Sequence, residues 1–271
     1  MKKYPKYTPF ILIGLLILVI LVGIGAFAVS KGKGGSEKVT PTPMKKKISK
    51  PVNLIPFEER PYVLMSPTLT REVDVTIERL PKAADSVDYL SEYQHGTSLG
   101  GNEQFIDLKK GVPATKEFAL YSRSAGGKTS YEEDVKGGTL TLEFSGQNEY
   151  SLKQDWKYID NSTKLSTFTM NDDKFSVSGK DLATMRYAIL YNSPGAPAPI
   201  SSKRLSEVYT FQASSPLTGK KADITIQMSE VGKGKIMGWD GKAWITLAST
   251  VTDNTVKATQ VELLEAYVVT E

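Results

Sequence analysis

From Phe10 to Val29 the chain reads FILIGLLILVILVGIGAFAV, twenty consecutive residues without a charge. At about 1.5 Å of rise per residue, a helix of that length covers about 30 Å, the thickness of a bilayer's hydrocarbon core. The run predicts a transmembrane helix over about residues 10–29, with the lipid bilayer as its partner. Lys2, Lys3 and Lys6 precede it, a positive N-tail of the kind that opens a signal peptide or a signal anchor. The apolar run exceeds the usual signal-peptide core of about 7–15 residues, which favours a retained helix. Ala26-Phe27-Ala28 nonetheless has the small-x-small form of a cleavage site.

Lysine counts near the helix almost balance: Lys2, Lys3 and Lys6 on one side, Lys31, Lys33 and Lys38 on the other. Lys45 to Lys50 would add weight to a cytoplasmic C-terminal side. The short basic tail and the type of body that follows favour the opposite, a single-pass cell-membrane protein with its C-terminal part outside.

The formal net charge is +4, but it is unevenly placed. Residues 1–50 hold ten lysines and one acid, Glu37, for +9, so residues 51–271 carry −5. Nucleic-acid binding rests on neutralising phosphates, so a mildly acidic body argues against that partner. The chain has no cysteine and a single histidine, His95, which removes disulfides, thiolate nucleophiles and most zinc sites.

Residues 30–60 read as a linker. Gly residues come first, then Thr40-Pro41-Thr42-Pro43, then a lysine cluster, with no apolar period. After it the pattern changes to short alternating runs between turns. Val73, Val75 and Ile77 alternate with polar residues, and Leu140, Leu142 and Phe144 fall on one face of 137–144. Residues 95–103 (HGTSLGGNE) read as a Gly-rich loop, and 194–199 (PGAPAP) as a Pro-rich one. Strand signals recur about every ten residues, the mark of an antiparallel β-sandwich or barrel. The expected fold is therefore mainly β: the N-terminal helix, then one or two antiparallel β-sandwich domains, divided as 61–159 and 160–271 at the turn around Asp160.

The best-defined hairpin is 235–247, centred on Asp240-Gly241, a favoured two-residue turn. That register places Met237 opposite Trp244 and puts Ile236, Ile245 and Leu247 on one face, Met237, Trp239 and Trp244 on the other. A three-residue loop groups them differently, because a one-residue slip exchanges faces. Trp239 and Trp244 are either core fillers or an exposed aromatic platform for a glycan or a protein partner.

Residues 239–247 (WDGKAWITL), followed by 252–256 (TDNTV) and the closing 266–269 (AYVV), resemble the terminal strands of immunoglobulin- or fibronectin-like modules in bacterial surface proteins. The chain as a whole resembles uncharacterised, N-terminally anchored bacterial proteins. The resemblance implies a sandwich fold and a surface location. It implies no activity and transfers no site.

No catalytic, cofactor or metal residue is assigned. Gly126-Gly127-Lys128-Thr129 echoes a phosphate loop, but Ser122 stands where the first Gly belongs and no helix pattern follows. Glu132-Glu133-Asp134 and Asn171-Asp172-Asp173 group acids without the spacing of a calcium loop. Asn161-Ser162-Thr163 matches a glycosylation sequon. The expectation is a non-enzymatic protein with a structural, adhesive or interaction role at the cell surface, with polysaccharide or glycan binding as the alternative and a carboxylate glycosidase well behind.

Overall fold

The computed structural model describes residues 51–271. The membrane helix expected over Phe10–Val29 lies outside the described residues, as does most of the expected linker. Among the described residues no helix is long and apolar enough to cross a membrane.

Nineteen strands follow one another along the described chain. The first nine are β1 (Tyr62–Pro67), β2 (Glu72–Arg79), β3 (Ser86–His95), β4 (Ser98–Asp107), β5 (Ala114–Ala119), β6 (Tyr121–Arg123), β7 (Thr129–Tyr131), β8 (Val135–Ser145) and β9 (Tyr150–Asp160). Then come β10 (Thr167–Thr169), β11 (Phe175–Ser178), β12 (Tyr187–Ser193), β13 (Val208–Ala213) and β14 (Lys221–Gln227). The last are β15 (Lys235–Trp239), β16 (Trp244–Thr246), β17 (Ser249–Thr252), β18 (Thr255–Glu262) and β19 (Ala266–Thr270). Single 3-10 turns at Phe57–Glu59 and Lys180–Thr184 supply the helical residues of the described chain. The mainly β expectation holds.

The strands form where the two-residue period is clean. Val73, Val75 and Ile77 are wholly buried on β2, as are Leu140 and Leu142 on β8. The stretch 95–103 departs from its expected loop. It turns at Gly96 and Thr97, and residues 98–107 form β4, paired along its length with β3. Burial alternates along β4, but its inward positions include Gly100, Asn102 and Gln104, half-buried on an edge strand, so the sequence carries little apolar alternation.

A nine-stranded antiparallel sheet, ordered β16-β15-β19-β13-β12-β9-β8-β3-β4, is the spine of residues 51–271, which belong to one compact unit. The three-stranded sheet β1-β2-β5 and the five-stranded sheet β10-β11-β14-β18-β17 pack on it. On β12, Ile189 and Tyr191 belong to the core under β1-β2-β5, while Ala188 and Leu190 belong to the core under the five-stranded sheet. Successive side chains of a strand point to opposite faces, so the two cores lie on opposite sides of one sheet. Each half is a sandwich, and β12 is a wall of both. Asp160, at the expected division, is the last residue of β9, and the spine continues unbroken from β9 into β12.

The first core centres on Trp156, fully buried, with Tyr93 and Phe118 packed edge-on or stacked against one another and the indole at 5.8–6.3 Å between ring centroids. Tyr93 and Trp156 flank Gly138 in register on β3, β8 and β9. A Cβ at Gly138 would strike the Glu92 carbonyl and come within 2.7 Å of the Tyr93 Cα, so only glycine lets β8 pass between them.

One sheet carrying both cores should make the unit unfold cooperatively. Ile189→Ala and Leu190→Ala truncate opposite faces of β12, and each is expected to cost about 2–5 kcal/mol. In urea titrations, tryptophan fluorescence and far-ultraviolet circular dichroism should report one coincident transition for each variant. Two separated transitions would mean that the sandwiches unfold independently.

Candidate functional site

A cleft of about 320 Å³ opens where the 53–60 segment, β9 and the β12–β13 connection meet. Phe57, Arg60, Lys153, Ser193, Arg204 and Glu207 are among its walls. A neighbouring concavity of about 270 Å³ shares Phe57 and Arg204 and adds Glu58, Arg79, Ile200 and Lys203. The Phe57–Arg204 pair is the partition between them. Each space is lined by three cations against one carboxylate, Glu207 in the first and Glu58 in the second.

Residues 53–60, the end of the segment expected as linker, are laid against the body. The Asn53 backbone N–H donates to the Ser151 carbonyl at 2.9 Å. Its side-chain amide donates to the Lys153 carbonyl and accepts from the Lys153 N–H, both at 3.0 Å. The Arg60 guanidinium then folds the segment back on itself, donating to the carbonyls of Ile55 at 2.9 Å and Asn53 at 2.6 Å. This hook presents Phe57.

The opposite wall is held as firmly. Gly195 lies so close to Pro61 that a Cβ there would overlap the Pro61 carbonyl oxygen, and it would sit 2.6 Å from the Arg60 carbonyl. Arg204 bridges Thr270 through its backbone, and the Leu205 N–H donates to the Val269 carbonyl at 2.8 Å. Ser206 accepts from the Val269 N–H at 2.9 Å. Pinned this way, Arg204 lays its guanidinium carbon 3.5 Å from the centroid of Phe57, a cation–π stack worth about 0.5–2 kcal/mol. Among the described residues that guanidinium has no hydrogen-bond partner. Burial lowers its pKa, with Arg60 adding to the effect and Glu58 and Glu207 opposing it. The Ser193 hydroxyl, on the same cleft, is buried and also without a partner.

Trp239 and Trp244 stand beside this region. They face each other across β15 and β16, with rings edge-on at 5.6 Å. Asp240 caps the turn, its carboxylate accepting from the N–H groups of Lys242 at 2.8 Å and Ala243 at 2.7 Å. The tip is therefore Gly241-Lys242, and the register is shifted by two residues from the Asp240-Gly241 turn. A shift of two preserves faces. Ile236 and Leu247 enter the second core, and Met237, Trp239 and Trp244 share the other face, as expected. Ile245, expected with Ile236, is 39% exposed. Both tryptophans are half-buried against Ala196, Val208, Ala266 and Val268. The Trp244 indole N–H donates to the Ala198 carbonyl at 3.1 Å, so the pair backs the Pro-rich loop that walls the second concavity.

The other sequence candidates are turns. Gly126 to Thr129 belongs to the β6–β7 hairpin, with the Ser124 N–H on the Lys128 carbonyl at 3.0 Å. Asp172 sits in the β10–β11 turn and accepts from the Lys174 N–H at 3.2 Å. His95 ends β3, its ring 6.2 Å from that of Tyr93. Among the described residues no group of three His, Cys, Asp or Glu side chains is placed to hold a metal ion. Asn161, the sequon asparagine, is 2% exposed. Its amide nitrogen donates to the carbonyls of Leu182 at 2.9 Å and Leu165 at 3.2 Å, and its oxygen accepts from the Leu165 N–H at 2.6 Å. That side chain is a stitch within the fold, with no free edge for a sugar.

A third concavity, about 230 Å³, has Arg71 between Tyr131 and Tyr187. Here the charge is spent: Asp160 binds both Arg71, at 2.8 Å, and Arg186. Arg60 and Arg204 could not be singled out in the sequence. Arg60 fell in the apparent linker, and an unpaired arginine looks like a paired one until the fold sets its neighbours. No protein-family model matches the chain, and no curated protein or solved structure matches it.

Asn161→Ala leaves buried backbone groups unpaired and should cost about 1–3 kcal/mol in denaturant titrations. Thr163→Ala destroys the same sequon and should change stability by less than about 0.5 kcal/mol. Asp160 supplies a pH test. Burial raises its pKa, but the hydrogen bonds from Arg71 and Arg186 outweigh that and hold it below the usual carboxylate range. A carboxylate with a lower pKa folded than unfolded stabilises fully above the unfolded value and loses that contribution as pH falls through the folded one. Thermal midpoints should therefore fall below about pH 4, and less steeply in Asp160→Asn, which starts lower at neutral pH.

Proposed function

We propose that this is a single-pass membrane protein whose double-sandwich body faces outward and serves contact at the cell surface rather than catalysis. The observation that carries the reading is the uncharged run Phe10–Val29 set ahead of a lysine- and proline-rich tether. The likeness of residues 239–269 to sandwich modules of bacterial surface proteins supports it. So does the body's construction, because strands buried on both faces open locally only at high cost and keep a contact surface in a fixed shape. The contact site in this reading is the cleft region around Phe57 and Arg204, with Trp239 and Trp244 as its backing. Glycan binding is the form of contact that its polar and cationic lining favours.

The absence of cysteine makes a topology test clean. Val231, 79% exposed, is replaced by cysteine in one variant, and Lys3 in another. A membrane-impermeant maleimide applied to intact cells should label Val231→Cys, and should label Lys3→Cys only after permeabilisation. The reverse pattern would refute the outward reading.

A further inference from the structure

We infer that the Arg204 cleft is a binding site for the oxyanion of an acidic glycan, a sugar carboxylate or sugar phosphate. The inference rests on the surface-contact reading and names its ligand class.

Ion pairs elsewhere in the body give the contrast. Arg71 and Arg186 share Asp160, Lys82 is 2.6 Å from Glu59, and Lys257 is 2.9 Å from Asp223. Arg204 is half-buried and has neither an ion pair nor a hydrogen bond among the described residues. Water is left to solvate its donors, and partial burial against Phe57 limits that hydration, so an oxyanion that takes two donors at once has little water to displace and a full charge to meet. The stack on Phe57 covers one face of the guanidinium and leaves its N–H edge as the bonding direction. A planar fork of donors suits a carboxylate or phosphate, which takes two of them at once.

Glu58 and Glu207 both act on Arg204, yet the charge across the two concavities is net positive, with Arg60, Arg79, Lys153 and Lys203 beside it. Arg60 and Lys153 line the same cleft, and Glu207 is the one acid there. Glu207 accepts from the Asn192 amide at 2.9 Å. The site stands out on a body of net charge −5, so its cations are a local feature rather than a basic surface.

The rest of the lining selects the polymer. The walls are polar: Asn53, Asn192 and Ser206 have their amides and hydroxyl engaged within the fold, while Ser229 lines the cleft and the buried Ser193 hydroxyl is unpartnered. Such a wall suits an anion carried on a hydroxyl-rich chain better than one carried on an apolar ligand. The Pro-rich loop and Phe57 supply the apolar edges. With the neighbouring concavity across the partition, the groove offers successive residues of a chain two cation-lined stations.

The test uses the full chain in a non-ionic detergent, with calorimetric titration of three probes: oligogalacturonate, a phosphomannan oligosaccharide and neutral dextran. At least one acidic probe should bind, and which one binds identifies the oxyanion. Affinity should fall with added salt, because an exposed ion pair is screened. Arg204→Ala should weaken binding more than about tenfold, and Arg204→Lys about three- to tenfold, since lysine keeps the charge and loses the fork. Lys136→Ala removes the same charge from a remote exposed site and should leave affinity unchanged. Silence of both acidic probes, equal binding of dextran, or full affinity in Arg204→Ala would overturn the inference. Thermal midpoints of each variant separate loss of the site from loss of the fold, and a destabilised Arg204→Ala gives way to Arg204→Lys as the deciding variant. Binding by a body that labels as cytoplasmic would sink the surface reading and keep the anion site. An outward body that ignores both acids would sink the site alone.

Discussion

The structure depends on β12 being buried on both faces. Its sequence, YAILYNS, is apolar for five residues in succession, and Ala188, Ile189, Leu190 and Tyr191 are all fully buried. A strand with one wet face would alternate; a strand with none reads as a continuous apolar run. β19, AYVVT, has the same character and lies two places away across β13. These strands stay in water-free surroundings only if a layer covers each side. The three-stranded sheet covers one side of the spine and the five-stranded sheet the other, displaced along it. Where β13 and β19 carry Val208, Ala266 and Val268 on the side of the three-stranded sheet but beyond its extent, Phe57, Ile200 and the Trp239–Trp244 pair provide the cover.

The cleft is a consequence of that last patch. A sheet face covered by loops rather than by strands leaves backbone groups in those loops that must be satisfied piecemeal. The hook of Asn53 and Arg60 and the pinning of 204–206 on β19 are how it is done here. Arginines are used as structural donors in this cover: Arg60 spends its guanidinium on two carbonyls, and Arg79 donates to Ala196 at 3.1 Å. Arg204 is placed by the same scaffold yet donates to nothing among the described residues.

The alternating strands were legible in the sequence because burial of one face writes itself directly as period two. β2, β8 and β15 lie where the pattern put them. The glycine-rich β4 was not legible, since on this edge strand the inward positions 100, 102 and 104 are Gly, Asn and Gln rather than apolar residues. The hairpin at Asp240 shows a finer limit. Asp-Gly marks the turn, but the aspartate side chain captures the next two N–H groups and moves the tip on. The faces survived because the shift was even. The turn at Asp160 was visible, but the sharing of one sheet across it was not, because no local pattern says which strand a given strand pairs with. Asn161 matches a sequon, and its task in the fold is set by Leu165 and Leu182, the latter 21 residues away.

The same asymmetry applies to function. Sequence pattern singled out Trp239 and Trp244, since large aromatics at a hairpin tip are conspicuous. The fold gives much of their surface, and the Trp244 N–H, to the loop behind the cleft. Arg204 is inconspicuous in sequence, one of 34 basic residues, and is distinguished only by what it lacks in space. A surface lysine without a partner is ordinary, because water solvates it at no cost. A half-buried guanidinium held flat on an aromatic ring by a rigid backbone has lost part of that solvation and has too little freedom to recover it by moving. The polar interactions that remain for it lie toward the cleft, and the groups lining that cleft are mostly amides, hydroxyls and further cations. The negatively charged, hydroxyl-bearing occupant we infer would meet that guanidinium and the cations beside it.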